Sequence, residues 1–289
     1  MTGCRDFVSD LLISPKKPDI TYDPFPYFYI DDYLPKDLYA ALYEEFPSMA
    51  FFGGRNNVDR ANRLRKMALN PRGERYAEFL ASSPSWTKVI DALRSDAFLK
   101  DVEGLLRPAL VQARGVAGRR GWWNYTSASR RVPIVERPVE FSCEFSRLSR
   151  GAFLYPHTDK PEKLVSFLLY FPEPDWEQRY GGATDLYRVK QAKHDRNWSG
   201  RAVTFDAVDT VFRSEFRSNR LMVFVKSRNS YHGVSPVTPP DGVARKSFNF
   251  NVIVPREQWG GIGKRLVDSY RWRTEEWRFR EFTDVNRHA

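Results

Sequence analysis

From residue 138 onward the apolar residues follow a period of two, and this pattern most constrains the fold. In PVEFSCEFSRL, Val139, Phe141, Cys143 and Phe145 alternate with polar residues, as in a half-buried strand. Further strand-like runs follow without a helical pattern between them: KLVSFLLYF, ATDLYRV, RAVTFDAV, RLMVFVKS and SFNFNVIV. This order argues against a doubly wound parallel sheet. It predicts an antiparallel sandwich or barrel with helices packed on one side.

The preceding part of the chain carries helical patterns. PKDLYAALYEEFP places Leu38, Leu42 and Phe46 four residues apart, which predicts an amphipathic helix. SWTKVIDAL follows with Ser85 as the expected N-cap, and SDAFLKDVEGLL predicts another helix. Residues 49–74 are expected to form a loop, and the tail SYRWRTEEWRFREF is expected to be helical.

Composition limits the environment and the partners. The 289 residues carry a formal charge of +10, which favours anionic partners. The sequence holds only 2 Cys, so a disulfide scaffold is not supported and a cytoplasmic location is expected. The first residues lack the apolar core of a secretory signal, and the longest apolar run, LVSFLLYF, is far too short for a membrane span. We therefore expect no membrane partner.

Three residues in the strand region could bind one metal ion. His157 and Asp159 are two positions apart, so on a strand they would face the same side. His232 follows 73 residues after Asp159, just past the apolar run RLMVFV. Two histidines and one carboxylate form the facial triad of non-haem Fe(II) oxygenases. A lone histidine is more often a surface or core residue, so zinc binding and a metal-free fold stay open at this point.

Arg245 is the second unusual residue of the strand region. It begins the alternating run RKSFNFNV, thirteen residues after His232. A buried arginine is costly without an anionic partner, and the run contains no acid. An incoming carboxylate could supply that partner. The alternative is a surface strand residue that pairs with an acid elsewhere in the fold.

These motifs, taken in order, resemble the Fe(II)/2-oxoglutarate-dependent oxygenase superfamily in its prolyl-4-hydroxylase-like branch. The matching pieces are GAFLYPHTD, LVSFLLYFPEPDW, YGGATDLY, NRLMVFVKSRNSYHGVSPV and RKSFNFNV. They cover residues 139–254, and a weaker similarity begins near residue 25. The insertion TPPDG before Arg245 departs from the family pattern, and we expect it to lengthen a hairpin turn.

The resemblance implies an α+β, mainly β fold: a double-stranded β-helix, which is a jelly-roll or cupin-like barrel, with supporting N-terminal helices. It also implies that His157, Asp159 and His232 bind Fe(II) as the catalytic centre. The residues expected to hold the distal carboxylate of 2-oxoglutarate are Arg245, Tyr170 and Ser247. Gly181 and Gly182 are expected to have a structural role.

The implied activity is that of a dioxygenase with Fe(II), 2-oxoglutarate as co-substrate and O2, with ascorbate as a stimulating reductant. It would hydroxylate a C–H bond and release succinate and CO2. The expected layout is a flexible segment at 1–20 and a single oxygenase domain at 21–289. Within that domain we expect helical support at 35–137, a jelly-roll core at 138–255 and a helical tail at 256–289.

The substrate is the least constrained part of the prediction. Residues 107–137 hold seven Arg and one Glu, and we expect Arg119, Arg120, Trp122 and Trp123 to contact substrate. A solvated basic loop is the alternative. A small molecule, anionic or sugar-containing, is preferred; a peptidyl proline or other protein side chain is second. Nucleic acid demethylation is third, because no nucleic-acid-binding motif accompanies the charge. A non-catalytic jelly-roll binding protein is also considered and is disfavoured by the intact triad with Arg245.

Overall fold

The computed structural model describes residues 7–53, 66–114, 139–195, 197 and 200–253. In these residues ten strands form two antiparallel sheets. The strands are β1 (Tyr27–Ile30), β2 (Lys66–Leu69), β3 (Glu140–Leu148), β4 (Leu154–His157), β5 (Lys163–Tyr170), β6 (Thr184–Val189), β7 (Val208–Ser214), β8 (Leu221–Val225), β9 (Tyr231–Val234) and β10 (Arg245–Ile253). The helices are α1 (Phe7–Leu11), α2 (Lys36–Glu44), α3 (Tyr76–Ala81), α4 (Pro84–Leu93) and α5 (Asp96–Arg114).

The connection of the strands defines a double-stranded β-helix. The large sheet has the order β1-β8-β5-β10-β3-β2, and the small sheet has the order β4-β9-β6-β7. From β3 to β10 the chain passes back and forth between the two sheets, which is the winding of a jelly roll. The mainly β fold class expected from the sequence is confirmed.

The large sheet has two chemically different faces. Its outer face packs against the helices, where the Trp86 indole of α4 contacts the Phe145 and Phe248 rings at 4.6 and 4.8 Å between centroids. Its inner face turns towards the small sheet, where Arg245 of β10 reaches the Thr184 hydroxyl of β6. Because side chains alternate along a strand, each strand of this sheet contributes to both faces.

Several elements differ from the sequence-based expectation. Residues 66–69, expected in a loop, form the edge strand β2, which pairs with β3. Helix α5 continues through Pro108 to Arg114, beyond the apolar stripe that predicted it. Helix α4 begins at Pro84 rather than after a Ser85 cap, and the Ser85 hydroxyl instead donates to Glu45 at 2.7 Å. The run RAVTFDAV forms a short 3-10 turn, and the strand begins only at Val208.

The start of the chain also differs from the flexible segment expected at 1–20. Leu11 and Ile13 are buried in the main core. The Ile13 amide donates to the Asp101 carboxylate of α5 at 2.6 Å. Residues 7–16 are therefore attached to the helical layer, because two apolar side chains and an N–H group all find partners there.

Some predictions lie outside the described residues. They include the C-terminal helical tail at 256–289 and most of the basic segment at 107–137, with Arg119, Arg120, Trp122 and Trp123. Helix α5 accounts for the first residues of that segment. Within the described ranges, none of the helices combines the length and apolar character that crossing a bilayer requires.

Candidate active site

An irregular strand pairing aims His157 at the inside of the barrel. On β4 and β9, Leu154 pairs with Val234, but His157 pairs with His232, so β4 holds one extra residue between the two pairs. A bulge of this kind reverses the direction in which later side chains point. Leu154 and His157 therefore both point inward, although they are three positions apart.

The two histidines present the same ring nitrogen to the barrel. Their rings lie 4.5 Å apart between centroids. The Nδ1 atom of His157 is 2.7 Å from the Tyr155 carbonyl oxygen, and Nδ1 of His232 is 3.0 Å from the Ser230 carbonyl oxygen. A carbonyl only accepts, so each Nδ1 must carry the proton and donate it. The lone pair of each ring is then on Nε2, which is the arrangement of metal-ligating histidines.

Asp159 reaches the same point from a loop. Strand β4 ends at His157, so the expectation that Asp159 shares a strand face with it was wrong. Lys163 donates to Oδ1 of Asp159 at 2.8 Å, and the Ser166 hydroxyl donates to Oδ2 at 2.6 Å. These two residues of β5 hold the carboxylate, and neither was expected from the sequence. The i, i+4 spacing of Asp159 and Lys163 was the available signal.

The three predicted metal ligands converge. One ligand atom from each of His157, Asp159 and His232 lies within 4.8 Å of the others. Oδ2 of Asp159 is 3.9 Å from Nε2 of His232. Two imidazole nitrogens and one carboxylate oxygen on one side of a site, with the remaining directions left for other ligands, fit a non-haem Fe(II) ion.

Burial sets the charge state of the three groups. It lowers the pKa of His157, and burial together with the adjacent His157 ring lowers the pKa of His232 to about 3. Burial, the largest single cause, would raise the pKa of Asp159, but the Lys163 ammonium and the two histidines together outweigh it, and this pKa is lowered. At neutral pH the imidazoles are neutral and the carboxylate is ionised, which are the forms that bind a cation.

The loop that contains Asn197 and Gly200 packs against the triad and supports the positions of its residues. The Thr158 hydroxyl donates to the Asn197 carbonyl oxygen at 2.7 Å, and the Asn197 amide donates to the Tyr231 hydroxyl at 3.0 Å. Thr158 lies between two ligands, and Tyr231 precedes the third. Gly200 has φ +75°, and a Cβ there would lie 2.9 Å from the Thr158 carbonyl oxygen, so the loop can come this close only at glycine.

Arg245 lies deeper on the inner face and is 2% exposed. Its Nε donates to the Gly182 carbonyl oxygen at 2.6 Å, and its Nη1 and Nη2 are each 3.3 Å from the hydroxyls of Ser247 and Thr184. The Tyr170 hydroxyl donates to Thr184 Oγ1 at 2.7 Å. Gly182 has φ +85°, so the expected structural role of this glycine agrees with its backbone conformation.

Arg245 has neutral hydrogen-bond partners but no carboxylate partner among the described residues. Burial lowers the pKa of Arg245, and only the Tyr170 phenol acts in the opposite direction. A guanidinium stays protonated in proteins, so its charge is uncompensated here. The Arg245 pocket, made by Arg245, Tyr170, Thr184 and Ser247, can therefore accept an anionic carboxylate. Thr184 was not expected from the sequence, since a threonine in a strand is ordinary.

Comparisons with known proteins agree with this geometry. Residues 143–253 match the family model described as the 2OG-Fe(II) oxygenase superfamily. No curated protein is similar enough to the chain to count as a match.

Similar solved structures include a Pseudomonas putida prolyl-4-hydroxylase, at 17% identity over 86% of this chain and 100% of that chain, with a TM-score of 0.41. A prolyl hydroxylase from Trichoplax adhaerens, in complex with a hypoxia inducible factor oxygen degradation domain peptide fragment, is 13% identical over 80% of this chain and 85% of that chain, with a TM-score of 0.42.

A double-stranded β-helix with two histidines and one aspartate converging inside it defines the class of non-haem iron oxygenases. The chain matches the model of the 2OG-Fe(II) oxygenase superfamily over residues 143–253, which include most of the barrel. It is a dioxygenase that uses Fe(II), 2-oxoglutarate and O2, as the sequence resemblance implied.

Proposed function

We propose that this dioxygenase hydroxylates a C–H bond of a small-molecule or saccharide-type metabolite, with release of succinate and CO2. The main support for the proposal is that one barrel contains two complementary sites. One is the triad with both Nε2 atoms available, and the other is a buried arginine without a carboxylate partner among the described residues.

In this proposal each part of the barrel binds one end of the co-substrate. His157, Asp159 and His232 would hold Fe(II), which supplies O2 activation when bound. The Arg245 guanidinium and the Tyr170 and Ser247 hydroxyls would hold the distal carboxylate of 2-oxoglutarate. Burial raises the pKa of Tyr170, so its phenol stays protonated and can donate. The enclosing sheets would exclude water from the reacting atoms.

Succinate release, measured with Fe(II), ascorbate and 2-oxoglutarate, tests the proposal. We expect a slow release without added substrate and a faster release with one member of a panel of saccharides and small metabolites. Asp159→Ala should abolish both rates. Asp209→Ala is the matched control, because Asp209 is exposed on β7 and should leave both rates unchanged.

A prolyl peptide belongs in the same panel. Stimulation by the peptide and by no small metabolite would contradict the proposed substrate and favour a peptidyl hydroxylase. A wild-type rate no higher than that of Asp159→Ala would contradict the proposed function as a whole. The cytoplasmic location is also a proposal, and the buried free thiol of Cys143 supports it.

A further inference from the structure

The inner face of the large sheet carries a row of polar residues along β10, next to apolar residues of β5 and β8 such as Leu168 and Met222. In β10, Arg245, Ser247, Asn249 and Asn251 alternate with Lys246, Phe248, Phe250 and Val252, and the first set faces inward. On the neighbouring strands, the inward residues that pair with this row include Ser146, Glu144, Ser142 and Ser166. Apolar side chains would fill a barrel that served only as a core. A polar row in this place indicates a surface that contacts a ligand.

Asn249 is the member of this row whose side-chain oxygen has no hydrogen-bond donor among the described residues. Its Oδ1 atom is buried and accepts no hydrogen bond from any described residue. A buried acceptor without a donor destabilises a protein, so such atoms are rare. The neighbouring polar groups are engaged with one another: Lys66 donates to Glu144 at 2.7 Å, and the Asn251 amide is 3.4 Å from the Ser142 hydroxyl.

Asn249 lies on β10 between residues that contact the two ends of the active site. Ser247, two residues before it, contacts Arg245 of the pocket for the distal carboxylate. Asn251, two residues after it, pairs across the sheet with Ser166, which donates to Asp159. Asn249 therefore lies along the row between the Arg245 pocket and the residue that supports the metal ligand.

The co-substrate cannot satisfy this atom. 2-Oxoglutarate, with two carboxylates and one keto group, offers only acceptors at neutral pH, and an amide oxygen needs a donor. A water molecule can donate to it in the free enzyme. A substrate with an O–H or N–H group at this position would replace that water with a direct hydrogen bond.

We propose that Asn249 is a substrate-recognition residue whose Oδ1 accepts a hydrogen bond from a hydroxyl or amide N–H of the substrate. This inference rests on the proposed function and narrows the substrate class to polar compounds that carry such donors. Saccharides, other polyols and amides belong to that class, and hydrocarbon-like compounds do not.

Asn249→Leu tests the inference, because leucine has a similar size and no acceptor. The probes are monosaccharides, inositol, amino acids and a prolyl peptide, each paired with its deoxy or N-methyl counterpart. The readout is succinate release above the rate without a probe. In the wild type we expect a donor-bearing probe to have a KM roughly 10-fold lower than its counterpart. In Asn249→Leu this difference should vanish, because the KM of the donor-bearing probe should rise to that of its counterpart.

Thermal melting separates recognition from a structural role. Asn249→Leu should keep or raise the Tm, because it removes an acceptor that lacks a donor. Asn251→Leu is the matched control, and the loss of its contact with Ser142 should lower the Tm by about 2–4 °C.

Four outcomes would overturn the inference. They are a lower Tm for Asn249→Leu, equal KM values for paired probes in the wild type, a difference that persists in Asn249→Leu, and stimulation by no donor-bearing probe. Failure of the proposed function gives a different result, namely no succinate from the wild type above Asp159→Ala. The melting comparison would then still decide whether Asn249 Oδ1 has a partner in the fold.

Discussion

The two faces of the large sheet are built from the same strands but have opposite chemistry. On the outer face, the Phe145 ring lies between Trp86 and Phe248, at 4.6 and 4.9 Å between centroids. The two neighbours of Phe248 in β10, Ser247 and Asn249, point to the inner face. The outer face gains free energy by burying apolar area. The inner face buries less apolar area and therefore gains less free energy. It keeps polar groups where a co-substrate and a substrate can reach them.

This difference predicts which measured quantity a substitution on each face should change. Substitutions on the outer face should change the free energy of unfolding. They should leave ligand binding by the folded protein nearly unchanged. Substitutions of inner-face groups that lack a matching partner among the described residues should change ligand binding and leave stability nearly unchanged or improved. The following expected outcomes are ordered from the largest effect to the smallest.

The largest effect should come from the outer face. Phe145 is fully buried and touches four aromatic rings, so Phe145→Ala should lower the free energy of unfolding by about 3–5 kcal/mol. Urea denaturation measures this quantity. Tyr22→Ala is the control, since Tyr22 is 40% exposed and should change stability by less than about 0.5 kcal/mol. Similarly small losses of the free energy of unfolding in both variants would contradict the expected role of the outer face in stability.

Arg245→Met should show the opposite pattern. The variant should keep or gain stability, because a buried charge without a carboxylate partner in the described residues is replaced by an apolar group. Its apparent KM for 2-oxoglutarate should rise roughly 100-fold, which corresponds to about 2.7 kcal/mol. Arg217→Met, at an exposed arginine, is the control for both measurements. A large loss of stability with an unchanged KM would mean that the partner of Arg245 belongs to the protein.

The supports of Asp159 should have an intermediate effect. Lys163→Met and Ser166→Ala each remove one hydrogen bond from the carboxylate. We expect each to weaken metal binding by about 10-fold or more, because groups that orient ligands commonly contribute that much. Anaerobic titration of the metal-free protein with Mn(II) measures the affinity. An affinity equal to that of the wild type in both variants would show that Asp159 is held without them.

The smallest effect should come from Thr184→Val, which keeps the shape and removes a hydroxyl. Thr184 accepts from Tyr170 and lies 3.3 Å from Arg245 Nη2, so its loss leaves two donors less well oriented. We expect the KM for 2-oxoglutarate to rise by roughly 3- to 10-fold. Thr210→Val, at an exposed position of β7, should leave the KM unchanged. If Thr184→Val also keeps the wild-type stability, the change in KM reports ligand binding alone, as expected for the inner face.

The sequence was sufficient for the fold and for the residues with unusual chemistry. The period of two in β3 and β10 predicted strands with one face buried, and the family resemblance implied the two-sheet barrel that these strands form. Arg245 stood out because it begins an apolar strand without an acid nearby. The turn before it, where Gly242 has φ +84°, leaves Arg245 and Ser247 on the same face, as the motif required.

The sequence did not reveal features that depend on contacts between distant segments. The bulge in β4, which turns His157 inward, becomes visible only when β4 pairs with β9. Lys163 and Ser166 belong to a strand whose apolar run predicted packing, not support of a carboxylate. Strand β2 was missed because four residues without clear alternation gave no signal, and it is stabilised by pairing with β3.

The assignment of the inner face to Fe(II) and 2-oxoglutarate can be tested by one spectroscopic measurement. Anaerobic protein with Fe(II) is titrated with 2-oxoglutarate, and the visible charge-transfer absorption that appears when a keto acid chelates protein-bound Fe(II) is recorded. We expect the wild type to give a saturable band, Asp159→Ala to give none, and Arg245→Met to need roughly 100-fold more 2-oxoglutarate. A wild-type protein without the band, or Asp159→Ala and Arg245→Met variants with wild-type titration curves, would contradict the assignment.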